Sequence, residues 1–130
     1  MLRTLLFSLA LGSAGLGQAS DLTPPDLESL KWVARPIIVF AESDRDPRIQ
    51  QQVEMLAQRQ AELDERDVVV IIDTDPDSVL RDTFRPRDFM FVLVGKDGEV
   101  KYRKPRPVPV REISRVIDRM PMRRQEMGLE

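Results

Sequence analysis

Cysteine and histidine are both missing from this 130-residue sequence. Without cysteine there is no thiolate to act as nucleophile or redox centre, and an oxidising compartment can form no disulfide in the chain. Without histidine it lacks the commonest metal ligand and the side chain most used as a general base near neutral pH. Aromatic residues are sparse, with a single tryptophan and a single tyrosine. A carboxylate-pair hydrolase acting on sugars ordinarily needs more aromatic platform than that. Long apolar runs are scarce too: the only extended one, Leu5 to Leu11 with a loose continuation to Leu16, is too short to span a bilayer. No internal repeat or low-complexity tract stands out, and the proline-dense stretch Pro105 to Pro109 reads as a short extended connection.

The N-terminal run has the three parts of a secretory leader. Arg3 supplies a positive charge, the apolar stretch follows, and Gly17 and Ala19 place small side chains three and one before a cut after Ala19. Gly12, Gly15 and Gly17 weaken the competing reading, a buried helix, because ordering glycine costs the most backbone entropy. Residues 1–19 are therefore expected to be removed, leaving an exported single domain over 20–130, periplasmic or secreted. A lipid anchor would need a cysteine just after the cut, and Ser20-Asp21 stand there instead.

The formal net charge of −2 hides a polarised distribution. Ser20 to Gly95 carry nine basic against sixteen acidic residues, whereas Lys96 to Arg124 carry ten against four. A basic C-terminal quarter can attract an anionic partner. The two regions can equally neutralise one another across the fold, or stay solvated.

Hydrophobic patterning predicts alternating strands and helices. Thr23-Pro24-Pro25 suits a helix start, with Leu27 and Leu30 as its apolar edge and Trp32 after it, expected in the core. Pro36 to Phe40 and Val68 to Ile72 are unbroken β-branched or aromatic runs, as in strands buried on both faces. Between them, Asp46-Pro47 caps a long helix whose stripe is Ile49, Val53, Leu56, Ala57 and Leu63, reaching about Asp64. Ser78 to Arg81 could make a helical turn. Phe89 to Val94 and Val100 to Arg103 flank Gly95-Lys96-Asp97-Gly98 as a hairpin. A closing helix buries Val110, Ile113, Val116, Ile117 and Met120, presents Arg111, Arg115 and Arg119 at four-residue steps, and is ended or kinked by Pro121.

The order β-α-β, loop, β-hairpin, α is that of the thioredoxin core: an α/β fold with a four-stranded mixed sheet and helices on both faces. Thioredoxins and peroxiredoxins hold the redox cysteine where the first strand enters the long helix, because the helix N-terminus stabilises a thiolate. Here that segment is Ala41-Glu42-Ser43-Asp44-Arg45-Asp46-Pro47. Pro86 lies too early for the cis-proline that thioredoxins keep before the third strand.

Leu30, Trp32, Arg35-Pro36, Glu65-Arg66-Asp67, Gly95 to Gly98, and Ile117 to Arg124 with Glu126 carry a resemblance over nearly the whole mature chain. By these the sequence resembles the family of domain of unknown function 4174, a thioredoxin- or peroxiredoxin-like group of exported bacterial and animal extracellular proteins. The resemblance implies the fold and export. It assigns no activity and no catalytic residue.

Several constellations invite chemistry. Asp73, Asp75 and Asp77 alternate like the start of a calcium loop, but Pro76 intervenes and neither the turn glycine nor the closing glutamate follows. Glu42, Asp44 and Asp46 could gather a cation, although Asp46 is already explained as a helix cap. Lys101 to Arg106 mixes basic and aromatic residues as nucleic-acid binders do, yet edge-strand lysines also block aggregation, and no nucleic-acid partner is expected for an exported chain. Met120 to Met127 suits an adaptable docking surface or a tail packed back on the sheet. The favoured expectation is a non-catalytic interaction module with no catalytic, cofactor-binding or metal-ligating residue. Its partner would be an envelope protein or anionic component met by Arg111, Arg115, Arg119, Arg123 and Arg124. The alternatives are a cysteine-independent enzyme using the loop Glu42 to Asp46, and a purely structural envelope protein.

Overall fold

A run without a polar side chain, Pro36 to Phe40, belongs in the middle of a sheet. In the computed structural model, which describes residues 24–129, it forms the inner strand β1 (Arg35–Phe40), buried throughout. The expected leader over 1–19 lies outside the described residues. Around β1 run α1 (Pro24–Leu30), α2 (Pro47–Gln58), α3 (Gln60–Glu65), β2 (Val68–Asp73), α4 (Val79–Phe84), β3 (Met90–Val94), β4 (Val100–Lys104), α5 (Val110–Ile117) and α6 (Pro121–Glu126). The sheet order is β2-β1-β3-β4, with β2 parallel to β1 and the hairpin β3-β4 antiparallel. This is the thioredoxin-type core that the sequence pattern predicts.

Because strand side chains alternate, β1 feeds two cores. Ile37 and Val39 join Ile49, Leu56, Leu63, Phe91, Ile113 and Ile117 beneath α2, α3 and α5. Ile38 and Phe40 face the other way, onto Leu80, Phe84 and Val92 beneath α4, with Leu27 of α1 packed against them. The hairpin turns at Gly98, whose φ of +85° suits glycine and whose missing side chain leaves room for the stem of Lys31.

Four local expectations are corrected by tertiary context. The long helix is two, since Arg59 leaves the helical region at φ −137° and ψ 44°. Within α2, Val53 and Ala57 face solvent, while Gln52 is fully buried and bonds both backbone groups of Val108 at 2.8 Å. The proline-rich connection has no sheet partner there, so an amide that both donates and accepts is worth burying. Strand β2 is an edge and only partly covered: Ile71 and Asp73 are buried on one face beside exposed Val69, and Val68, Val70 and Ile72 are no more than half-buried on the other, against the core beneath α2, α3 and α5. Finally, α5 ends at Ile117 and Pro121 starts a new helix, its fixed φ and missing N–H being suited to a first turn.

Candidate functional site

At the C-terminal end of β1, where redox proteins of this fold place a thiol, two arginines occupy the pole. Asp46 caps α2 by accepting from the Arg48 backbone at 2.9 Å, and its carboxylate also takes the Arg48 guanidinium at 2.7 and 3.0 Å. Arg48 reaches on to Asp88 at 3.2 Å and lies over the Phe89 ring, so it ties the helix start to the segment preceding β3. Arg81 donates to the Ala41 carbonyl and, at 3.4 Å, to that of Asp73, closing the ends of β1 and β2 over the Phe40 ring. The Arg48 hydrogen bonds hold the Asp46 carboxyl below the usual carboxylate range. That is the wrong direction for a general acid, which needs a raised value. Glu42 to Arg45 are exposed around a shallow, open depression. There is no cis peptide among the described residues, so Pro86 supplies no substrate-gripping loop of the thioredoxin kind.

The turn acids are committed locally. Asp73 accepts from the Asp75 backbone and the Ser78 hydroxyl, and Asp75 accepts from the Asp77 backbone. No group of three or more metal-ligating side chains forms among the described residues.

The opposite pole, beneath the N-terminal end of β1, gathers residues far apart in the chain. Arg35 donates to both Glu126 oxygens at 3.1 and 3.3 Å and to the Arg66 carbonyl at 2.8 Å. Lys96 bridges Asp67 at 2.8 Å and Glu126 at 2.7 Å. Arg66 grips Asp118 with two bonds of 3.0 Å, and Arg123 joins Asp118 and Glu65 at 3.2 Å. Four cations thus meet four carboxylates. Their burial is unequal: the cation side chains are at most 11% exposed, whereas the carboxylates range from 27 to 65%. Burial alone would raise the Glu126 pKa, but the Lys96 and Arg35 hydrogen bonds overcome it and hold the group low. Asp118 is held low chiefly by the Arg66 hydrogen bond.

Most of the segments that carried the family resemblance meet at this pole, including Arg35, Glu65 to Asp67, Lys96, Asp118, Arg123 and Glu126. Their spacing in the chain carried no sign that they are neighbours. Arg123 therefore does not join the expected arginine surface: it is buried and locks α6 onto the domain. Of the tail's two readings, the packed-back one is observed. Arg111, Arg115, Arg119 and Arg124 are exposed. None of these four has an ion pair among the described residues, whereas Arg106 is taken by Glu112 at 3.0 Å. Trp32, expected in the core, is 63% exposed with φ +69°. Among the described residues no helix is long and apolar enough to cross a membrane.

Among solved structures the chain is similar in fold to the reduced 2-Cys peroxiredoxin of Plasmodium vivax. The two superpose with a TM-score of 0.58 at 15% identity, covering 78% of this chain and 84% of the other. At that identity the likeness establishes the fold. No curated protein matches significantly. The profile described as Domain of unknown function (DUF4174) matches residues 26–126, from α1 to the last residue of α6. The span takes in both cores and the whole buried charge cluster, and the chain belongs to the family of domain of unknown function 4174.

Proposed function

We propose that the mature chain is an exported, non-catalytic interaction module that binds an acidic envelope protein or other anionic envelope component through Arg111, Arg115, Arg119 and Arg124. The observation that carries this reading is the contrast among the C-terminal arginines. Arg106 and Arg123 are neutralised by partners of their own, while these four remain exposed and unpaired among the described residues. Guanidinium forks left in water are matched to carboxylate and phosphate partners. The pole at the C-terminal end of β1 supports the non-catalytic part, because its Arg48 and Arg81 are held by carboxylates and carbonyls in place of a nucleophile.

Arg115→Glu and Arg119→Glu are expected to weaken capture of the partner from envelope extract about tenfold or more, with the melting temperature nearly unchanged, since both sites are exposed. Raised salt should imitate the substitutions. Capture indifferent to both charge reversals would exclude this surface. For export, the expected result is a chain recovered from the envelope fraction that begins near Ser20 by mass spectrometry; an intact Met1 terminus in the cytoplasm would exclude the leader.

A further inference from the structure

Trp32 stands where the backbone favours glycine. Helix α1 ends at Leu30, whose carbonyl accepts from both Val33 and Ala34, and the chain leaves through a left-handed residue at Trp32. Glycine enters that region freely, and an L side chain enters it at a cost. The backbone N–H of Trp32 donates to the Lys96 carbonyl at 2.7 Å, a bond that almost any residue would make. Trp32 is 63% exposed, and Val33 beside it is 64% exposed. The fold therefore bears backbone strain and a large exposed apolar surface at adjacent positions, without internal burial in return. Residues that break a local rule in this way are expected at functional sites. Tryptophan is also among the side chains most enriched where binding energy concentrates.

The charge around the turn specifies what fits it. In the adjoining cluster the cations lie inside and the carboxylates outside, with Glu65 and Asp67 half exposed or more. Glu28, one turn back on α1, is exposed as well, although it pairs with Lys31 at 3.0 Å. An apolar centre with an acidic rim complements a basic rim and opposes an anionic lipid surface.

We propose that the Trp32-Val33 turn is a docking knuckle for a protein partner that offers an apolar socket edged by lysine and arginine. It takes partner chemistry opposite in charge to that of the exposed arginines.

The test uses the full chain in the producing cell, with Val33 replaced by the photo-crosslinking residue p-benzoylphenylalanine, alone and together with W32G or with Arg115→Glu/Arg119→Glu. The expected result is one crosslinked protein other than the chain itself, attached through a peptide that combines apolar residues with Lys or Arg. Its yield should fall about tenfold or more with W32G and be unchanged by the arginine reversals. W32G in the otherwise natural chain should melt no lower than the parent, because glycine suits the left-handed position. Purified parent protein should neither sediment with vesicles of zwitterionic and anionic lipid nor shift its tryptophan emission in their presence. Crosslinks to copies of the chain would assign the knuckle to self-association and overturn the proposal. Vesicle binding would assign it to membrane. A crosslink insensitive to W32G, the absence of any crosslink, or a clearly lower melting temperature for W32G would each overturn it as well.

Discussion

Glu126→Ala is expected to lower the stability of the domain by about 3 kcal/mol, although Glu126 sits in a short helix four residues from the chain's end. The substitution removes the carboxylate that Arg35 and Lys96 share and leaves two buried cations short of a counter-charge. Breaking a buried pair by removing one partner costs about 3 to 5 kcal/mol, and the 27% exposure of Glu126 puts it at the lower end. For a domain of this size the loss corresponds to a fall in melting temperature of about 10 to 20 °C. As a control, Glu28→Ala breaks an exposed pair with Lys31 and should stay within about 0.5 kcal/mol. Equal effects of the two substitutions would show that the cluster is solvated rather than buried.

The cluster also sets a pH dependence. The folded values of Glu126 and Asp118 are depressed, so their contribution is present above the ordinary carboxylate values, about 3.9 to 4.3, and is lost as pH falls through the folded ones. Lys96 has the opposite sign. Burial lowers its pKa, the Asp67 and Glu126 hydrogen bonds more than offset that, and the net raised value keeps its contribution until pH rises past the ordinary lysine range, about 10.4. Urea melts should therefore be nearly level across neutral pH and weaken below about pH 4. In Glu126→Ala the acid limb should be shallower, because one fewer depressed carboxylate takes up a proton.

Ile117→Ala is the second large effect expected, a loss of about 2 to 5 kcal/mol by urea denaturation. Ile117 is fully buried among the side chains beneath α5, so truncation both removes apolar contact and leaves a cavity. On the same helix Arg115 is exposed, and Arg115→Ala should change stability by no more than about 0.5 kcal/mol. Comparable losses from both would mean that the buried face of α5 has been assigned wrongly.

The features legible in the sequence were those with a local physical cause. The runs at Pro36, Val68 and Phe89 are strands because β-branched and aromatic side chains suit a pleated, covered surface. Asp46-Pro47 starts a helix because it supplies a side-chain acceptor and a preset φ to the first turn. Ile113 and Ile117 share a buried face because four residues make just over one helical turn. The lack of cysteine by itself excludes thiol chemistry.

Tertiary structure decided which charged and apolar side chains face inward. Arg123 and Arg124 are adjacent and chemically identical, yet one is buried against Glu65 and Asp118 and the other is exposed. Local pattern could not separate them, because burying a guanidinium requires carboxylates delivered by distant segments. Glu65 is 58 positions from Arg123, and Glu126 is 91 from Arg35. The same limit placed Gln52 inside and Trp32 outside, against their hydrophobicity. Gln52 is held by the unpaired backbone of Val108, and Trp32 by a left-handed turn whose hydrogen bond runs to Lys96. Sequence alone determined the strands, the starts of the principal helices, their order and the absence of sulfur chemistry, since those depend on neighbours within a few residues. The charge lock and the exposed tryptophan depend on which ends of those elements the sheet brings together, and only the assembled fold decides that.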